Sequence, residues 1–136
     1  MPTMIFINQA VKDLKKSMDF FAHLGYTFNP QFTNDKAACL VVSDTIFYML
    51  VTEPFFQTFP TKKIIDAKKE VEVFNCLSAN SRQEVEDVIA KAVAAGGTLY
   101  REPQDYGWMY SNGFEDLDGH IWEYAYMDMS QLPPAQ

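Results

Sequence analysis

The sequence predicts an α+β chain made of two βαβββ modules in tandem. Three observations carry that prediction. Two stretches, 13–24 and 81–95, place apolar residues at helical spacing. Each is preceded by one short run rich in β-branched and aromatic residues and followed by three more. The last of these runs, Ile121-Trp122-Glu123-Tyr124-Ala125-Tyr126, follows a turn signal, Asp116-Leu117-Asp118-Gly119.

Module one spans about residues 1–53. Met4 to Ala10 reads as the first strand. Asp13 is placed to cap a helix by accepting from free amides of its first turn. Leu14, Met18, Phe21 and Leu24 form the buried stripe of that helix, and Gly25 stops it. Tyr26 to Phe32, Ala37 to Val42 and Thr45 to Thr52 read as three strands, with turns at Asn34-Asp35 and Ser43-Asp44.

Residues 54–69 break the pattern with two prolines, three phenylalanines and four lysines. Loops of this length act as linkers or lids. The segment is read as a linker, and a flap over a cavity is the sharper alternative.

Module two spans about 70–128. Val71 to Ala79 reads as a strand. Ser81 and Glu84 form an S-x-x-E capping box. Val85, Val88, Ile89 and Ala92 make the inner stripe of a helix that ends at Gly96-Gly97. Thr98 to Arg101, Trp108 to Phe114 and Ile121 to Met127 complete the strands. In the last strand Trp122, Tyr124 and Tyr126 share one face, which leaves Glu123 with Ile121 and Ala125 on the other. The tail, 129–136, carries two prolines and reads as frayed. Arg82 and Arg101 are read as surface charges.

The composition bounds the function. With 48% hydrophobic and 15% aromatic residues, the 136-residue chain has ample material for a core. A net charge of -7 argues against a nucleic-acid or anionic-membrane partner, because phosphate binding needs a basic surface. No apolar run is long enough to span a bilayer, and no signal-peptide pattern stands at the start. Cys39 and Cys76 are read as buried thiols of a cytoplasmic protein, with a disulfide left open.

The stretch Asp116-Leu117-Asp118-Gly119-His120-Ile121-Trp122-Glu123 resembles the terminal hairpin of the vicinal oxygen chelate superfamily, which includes glyoxalase I, bleomycin-resistance proteins and extradiol dioxygenases. The resemblance continues in Val11-Lys12-Asp13-Leu14, Phe20-Phe21 and Leu24-Gly25-Tyr26, and covers almost the whole chain. It implies one curved mixed sheet around a concave cavity, helices on the outer face, and a homodimer.

The resemblance also implies four inward metal-ligand positions. They fall on Phe6 (or Asn8), Tyr48, Phe74 and Glu123. Of these only Glu123 has a ligand-type side chain, since a phenyl ring has no lone pair to donate. The expectation is therefore no metal and no other cofactor, with a divalent metal as the alternative. The pocket is expected to be aromatic, lined by Phe6, Asn8, Tyr48, Phe74, Trp108 and Tyr110, with Glu123 as its charge.

A small aromatic or cationic ligand suits such walls, and metal-free resistance proteins of the superfamily provide the parallel. Two enzyme readings stand beside it: a metal-dependent lyase or extradiol dioxygenase, and a metal-free enzyme with Glu123 as general base. The residues leave open whether any reaction is catalysed.

Overall fold

Strand β1 (Ile5–Val11) leads into helix α1 (Leu14–His23), whose start is fixed by Asp13: its carboxylate accepts from the Lys16 amide at 3.0 Å. The structure is a computed structural model and describes residues 2–135. Helix α1 buries Leu14, Ser17, Phe20 and Phe21, with Leu24 also buried just past its end. Gly25 then takes a φ of 104°, a conformation that favours glycine.

Strand β2 (Thr27–Asn29) is shorter than the sequence predicts. Pro30 has no amide to give a ladder and instead opens a 3₁₀ turn through Phe32, capped by Asn29. Strands β3 (Ala37–Val41) and β4 (Ile46–Thr52) follow as expected. The linker begins with a single helical turn, α2 (Glu53–Phe56), that the sequence reading did not anticipate; its proline sits in the first turn, where a missing amide is harmless.

Strand β5 (Asn75–Ala79) starts later than expected. Val71, Val73 and Phe74 lie outside it and are exposed, so alternation there reports no ladder. Helix α3 (Arg82–Ala94) buries Val85, Ile89 and Ala92. Its cap differs from a reciprocal box in one bond. The Ser81 hydroxyl accepts from the Glu84 amide at 3.0 Å, but the Glu84 carboxylate accepts from the Asn80 amide at 2.8 Å.

The run Thr98 to Arg101 is not a strand. It makes one bridge, Thr98 to Glu115, and the edge strand is instead β6 (Gln104–Asp105). Strands β7 (Met109–Glu115) and β8 (Ile121–Met127) close the chain's β structure, and a 3₁₀ turn occupies Met129–Gln131.

Hydrogen bonding gathers the strands into two four-stranded mixed sheets of the same design, β1-β4-β3-β2 and β5-β8-β7-β6. In each, the first strand runs parallel to the last and the others are antiparallel. The βαβββ repeat is therefore present in topology. The chain divides into two compact units, with the boundary between Asp66 and Ala67.

In the first unit Val11, Phe21, Leu40 and Leu50 are at most 1% exposed. In the second, Val85, Phe114 and Trp122 are fully buried, and the Phe114 and Tyr124 rings stack at 6.2 Å. Truncating a ring as buried as Phe21 or Trp122 to alanine costs about 3–5 kcal/mol in such cores. No helix among the described residues is long and apolar enough to cross a membrane.

Candidate functional site

The turn that feeds β8 is built around Asp116. One oxygen, Oδ1, accepts from the Asp118 and His120 amides at 2.9 and 3.0 Å. The other accepts from the Trp122 indole at 3.0 Å. Gly119 takes a φ of 91° with the Lys68 backbone close against it, so no side chain fits there. Burial pushes the Asp116 carboxyl up, and the imidazole of His120 and the indole of Trp122 oppose that shift. The turn thus fixes where β8 starts and which of its side chains face α3.

From that start, Trp122 and Tyr124 turn to the buried face and Glu123 to the other. Glu123 is 7% exposed. Directly opposite it on β7 is Gly113, and opposite it on β5 is Cys76. The missing side chain at Gly113 makes room for a ring. A Cβ there would lie 2.9 Å from the Tyr100 Cε1 and 2.9 Å from the Glu123 Cγ. Tyr100 lies over this gap and donates its hydroxyl to Glu123 Oε2. The Arg101 guanidinium donates to the same oxygen at 2.8 Å and sits 5.6 Å from the Tyr100 ring centre.

Two donors on one oxygen leave Oε1 without a protein partner among the described residues. Burial, and then the hydrogen bond to Glu123, hold the Tyr100 phenol well above its ordinary value. Partial burial of its sulfur, and then the Glu123 carboxylate, push the Cys76 thiol up. That keeps Cys76 protonated and a poor nucleophile.

The other site residues expected from sequence are placed differently. In the first unit Phe6 is 44% exposed and stacks on Phe47 at 4.9 Å. Asn8 follows on the same face, its amide donating to the Phe6 carbonyl at 3.2 Å. Tyr48 does not share that face. It pairs with Ile7, not Phe6, and is 2% exposed on the side buried with Leu50. Matching buried faces aligns Tyr48 with Trp122 and Met49 with Glu123. The expected inward placement of Tyr48 is therefore one residue out, and in a strand that reverses the face.

In the second unit Phe74 is exposed just before β5. Tyr110 is on the face opposite Glu123, in register with Tyr126, and its hydroxyl donates to Glu86 on α3. Trp108 lies just before β7, half-buried, with its carbonyl accepting from the Asp128 amide at 2.7 Å.

Arg101 is not a detached surface charge, since it pairs with buried Glu123. Arg82 is at the surface but bound, gripping Asp105 at 2.8 and 3.0 Å. Cys39 is buried, whereas Cys76 is exposed, and both are free thiols.

Tyr100 and Arg101 were missed as site residues. A glycine inside a strand signals close approach of another group, and Gly113, opposite Glu123, was the available clue. As for a metal, the positions offer Phe6 or Asn8, Tyr48 or Met49, Phe74, and the Glu123 carboxylate, which already serves two donors. Among the described residues no three His, Cys, Asp or Glu side chains gather to hold an ion. This donor set does not fit a divalent metal centre.

Comparison with known proteins adds the following. Residues 3–124 match the family model described as the Glyoxalase/Bleomycin resistance protein/Dioxygenase superfamily. A hypothetical protein from S. aureus is 27% identical, with a TM-score of 0.78 over 93% of this chain and 95% of that one. A glyoxalase-related enzyme from Fulvimarina pelagi is 21% identical, with a TM-score of 0.77 over 93% and 88%. The fosfomycin resistance protein FosX from Listeria monocytogenes is 17% identical, with a TM-score of 0.68 over 96% and 97%. No curated protein matches the chain in sequence.

Proposed function

Since this chain belongs to the glyoxalase/bleomycin resistance protein/dioxygenase superfamily, we propose that it binds a small molecule through Glu123 without the help of a metal. The ligand class is a flat aromatic compound or organic cation that brings a hydrogen-bond donor to Oε1. The observation that carries the reading is the double hold on Oε2 by Tyr100 and Arg101. It orients a nearly buried carboxylate and leaves one oxygen for a partner. A carboxylate fixed in this way offers a ligand a charge-assisted bond with little reorganisation.

A second reading, proton transfer by Glu123 in a metal-free enzyme, is favoured by the same arrangement, since Tyr100 and Arg101 fix Oε2 and Oε1 is left as an acceptor for a substrate's proton. Native mass spectrometry of the protein as purified tests the main reading. It should show a small organic adduct or none, and a stoichiometric divalent metal would contradict it.

A homodimer is part of the proposal. It is supported by β1, an edge strand whose Ile5 and Phe6 are 50% and 44% exposed. Sedimentation velocity giving only monomer at micromolar concentration would contradict it.

A further inference from the structure

Strand pairing beside Glu123 is interrupted by a bulge. Thr98 pairs with Glu115 and Gln104 with Ser111, so the five residues 99–103 lie opposite the three residues 112–114 of β7. Both ends of the bulge are fixed. Thr98 and Glu115 exchange backbone bonds of 3.0 and 2.7 Å, and Asp105 of β6 is gripped by Arg82. Between those ends no backbone group bonds another backbone group among the described residues. The Gly113 amide donates instead to the Asn112 side chain at 2.8 Å. A bulge re-aims side chains, and this one sends Tyr100 and Arg101 onto Glu123.

Arg101 gives one N–H to Glu123 Oε2 and lies 5.6 Å from the Tyr100 ring centre. Its side chain is 42% exposed, whereas that of Glu123 is 9% exposed. A guanidinium beside an aromatic ring, on a nearly buried carboxylate, is the arrangement that a cationic ligand would adopt there. Arg101 also has somewhere to go. With Tyr100 and Glu102 it lines a groove of about 880 Å³ whose other wall is α3. Glu86 stands on that wall, and the Tyr110 hydroxyl donates to one of its oxygens, which leaves the other for a cation.

Resting on Glu123 as the ligand's partner, we propose that Arg101 is a built-in stand-in for that ligand, and that the ligand is an aromatic amidinium or guanidinium that displaces it. Two parallel N–H groups match the two oxygens of a carboxylate. One takes Oε1, and the other takes the place of Arg101 on Oε2. The ligand keeps the Tyr100 ring as its cation–π partner, and Arg101 moves into the groove towards Glu86. The exchange breaks no backbone bond of the sheet, because the bulge makes none. A ligand with a single donor takes Oε1 alone and leaves Arg101 seated.

The test is calorimetric titration of the full chain with benzamidine and with benzamide, its uncharged counterpart. Amide {1H}-15N NOEs of residues 100–102 are recorded alongside. Benzamide should bind about tenfold more weakly than benzamidine, for want of the charge-assisted pair. Arg101→Gln removes the stand-in and should bind benzamidine about tenfold more tightly than wild type. Lys91→Gln, which removes an exposed charge elsewhere on α3, should match wild type. In wild type, which needs no variant, bound benzamidine should lower the NOEs of residues 100–102, because a displaced Arg101 no longer ties the bulge down. Benzamidine affinity in Arg101→Gln no better than in wild type, no binding to Arg101→Gln at millimolar benzamidine, or unchanged NOEs with benzamidine bound would each overturn the proposal. Glu123→Gln separates the two readings. Binding lost in that variant but not improved in Arg101→Gln overturns the stand-in alone, whereas binding that survives Glu123→Gln unchanged overturns Glu123 as the ligand's partner and the stand-in with it.

Discussion

The Tyr100 hydroxyl donates to Oε2 of Glu123, a residue 23 positions further along the chain, across the gap that Gly113 leaves in β7. Burial first, and then this bond, raise the phenol's pKa, and its pH dependence follows. A group whose folded value lies above its unfolded one stabilises fully below the unfolded value, about 10 for tyrosine, and loses that contribution as pH climbs towards the folded value. Tyr100→Phe should therefore cost about 1 kcal/mol at neutral pH, and the gap to wild type should close only above pH about 10. Alkaline titration of phenolate absorbance checks this. Wild type should show one late-titrating tyrosine that the variant lacks, and identical curves would contradict it.

Gly113→Ala tests the gap itself. The added Cβ would lie 2.6 Å from the Trp122 carbonyl oxygen, a backbone atom that cannot swing aside. Overpacking of this kind costs about 1–3 kcal/mol. Because the Tyr100 ring is also in the way, the variant should lose the late-titrating tyrosine along with the stability. Chemical denaturation with the same titration reads both, and a variant as stable as wild type would contradict the placement of Tyr100.

Asp116→Ala removes the acceptor of three donors, two backbone amides and the Trp122 indole. With the indole buried and unmatched, the loss should be about 3 kcal/mol or more. Trp122 fluorescence should report the change in its surroundings. Asp116→Asn, which keeps one acceptor, should lose less. Equal losses in the two variants would show that the turn does not depend on that oxygen set.

The repeat, both long helices and the last strand were legible because their signals are local: a cap at Asp13, stripes at Leu14 and Val85, a turn at Asp116. Strand ends were less so. Pro30 halted β2, and exposed Val71 and Val73 mimicked a strand without a partner. Glu123 was legible as the odd acid on its face.

The faces of Tyr48 and Tyr110 were not legible, because register depends on a partner strand and a slip of one residue reverses every side chain. Tyr48 pairs with Ile7, so Phe47 is the residue beside Phe6. Tyr100 and Arg101 were hidden for a different reason. They lie in an irregular segment, where no periodicity indicates direction, and only the glycine opposite Glu123 hinted that something crosses there.

The most direct test of the reading of Glu123 is a melting scan of wild type and Glu123→Gln. It runs against zinc, nickel, manganese and iron(II), and then against a panel of small aromatic cations. Gln keeps the shape and an acceptor for Tyr100. Its own cost should be about 1 kcal/mol or less, since the Arg101 side chain is 42% exposed and stays hydrated. A ligand raises the melting temperature only as far as it binds the native state. The account predicts that no metal raises it for either protein, and that an aromatic cation binds wild type more tightly than the variant by about 1–2 kcal/mol. A clear upward shift with one divalent metal, lost in Glu123→Gln, would contradict it.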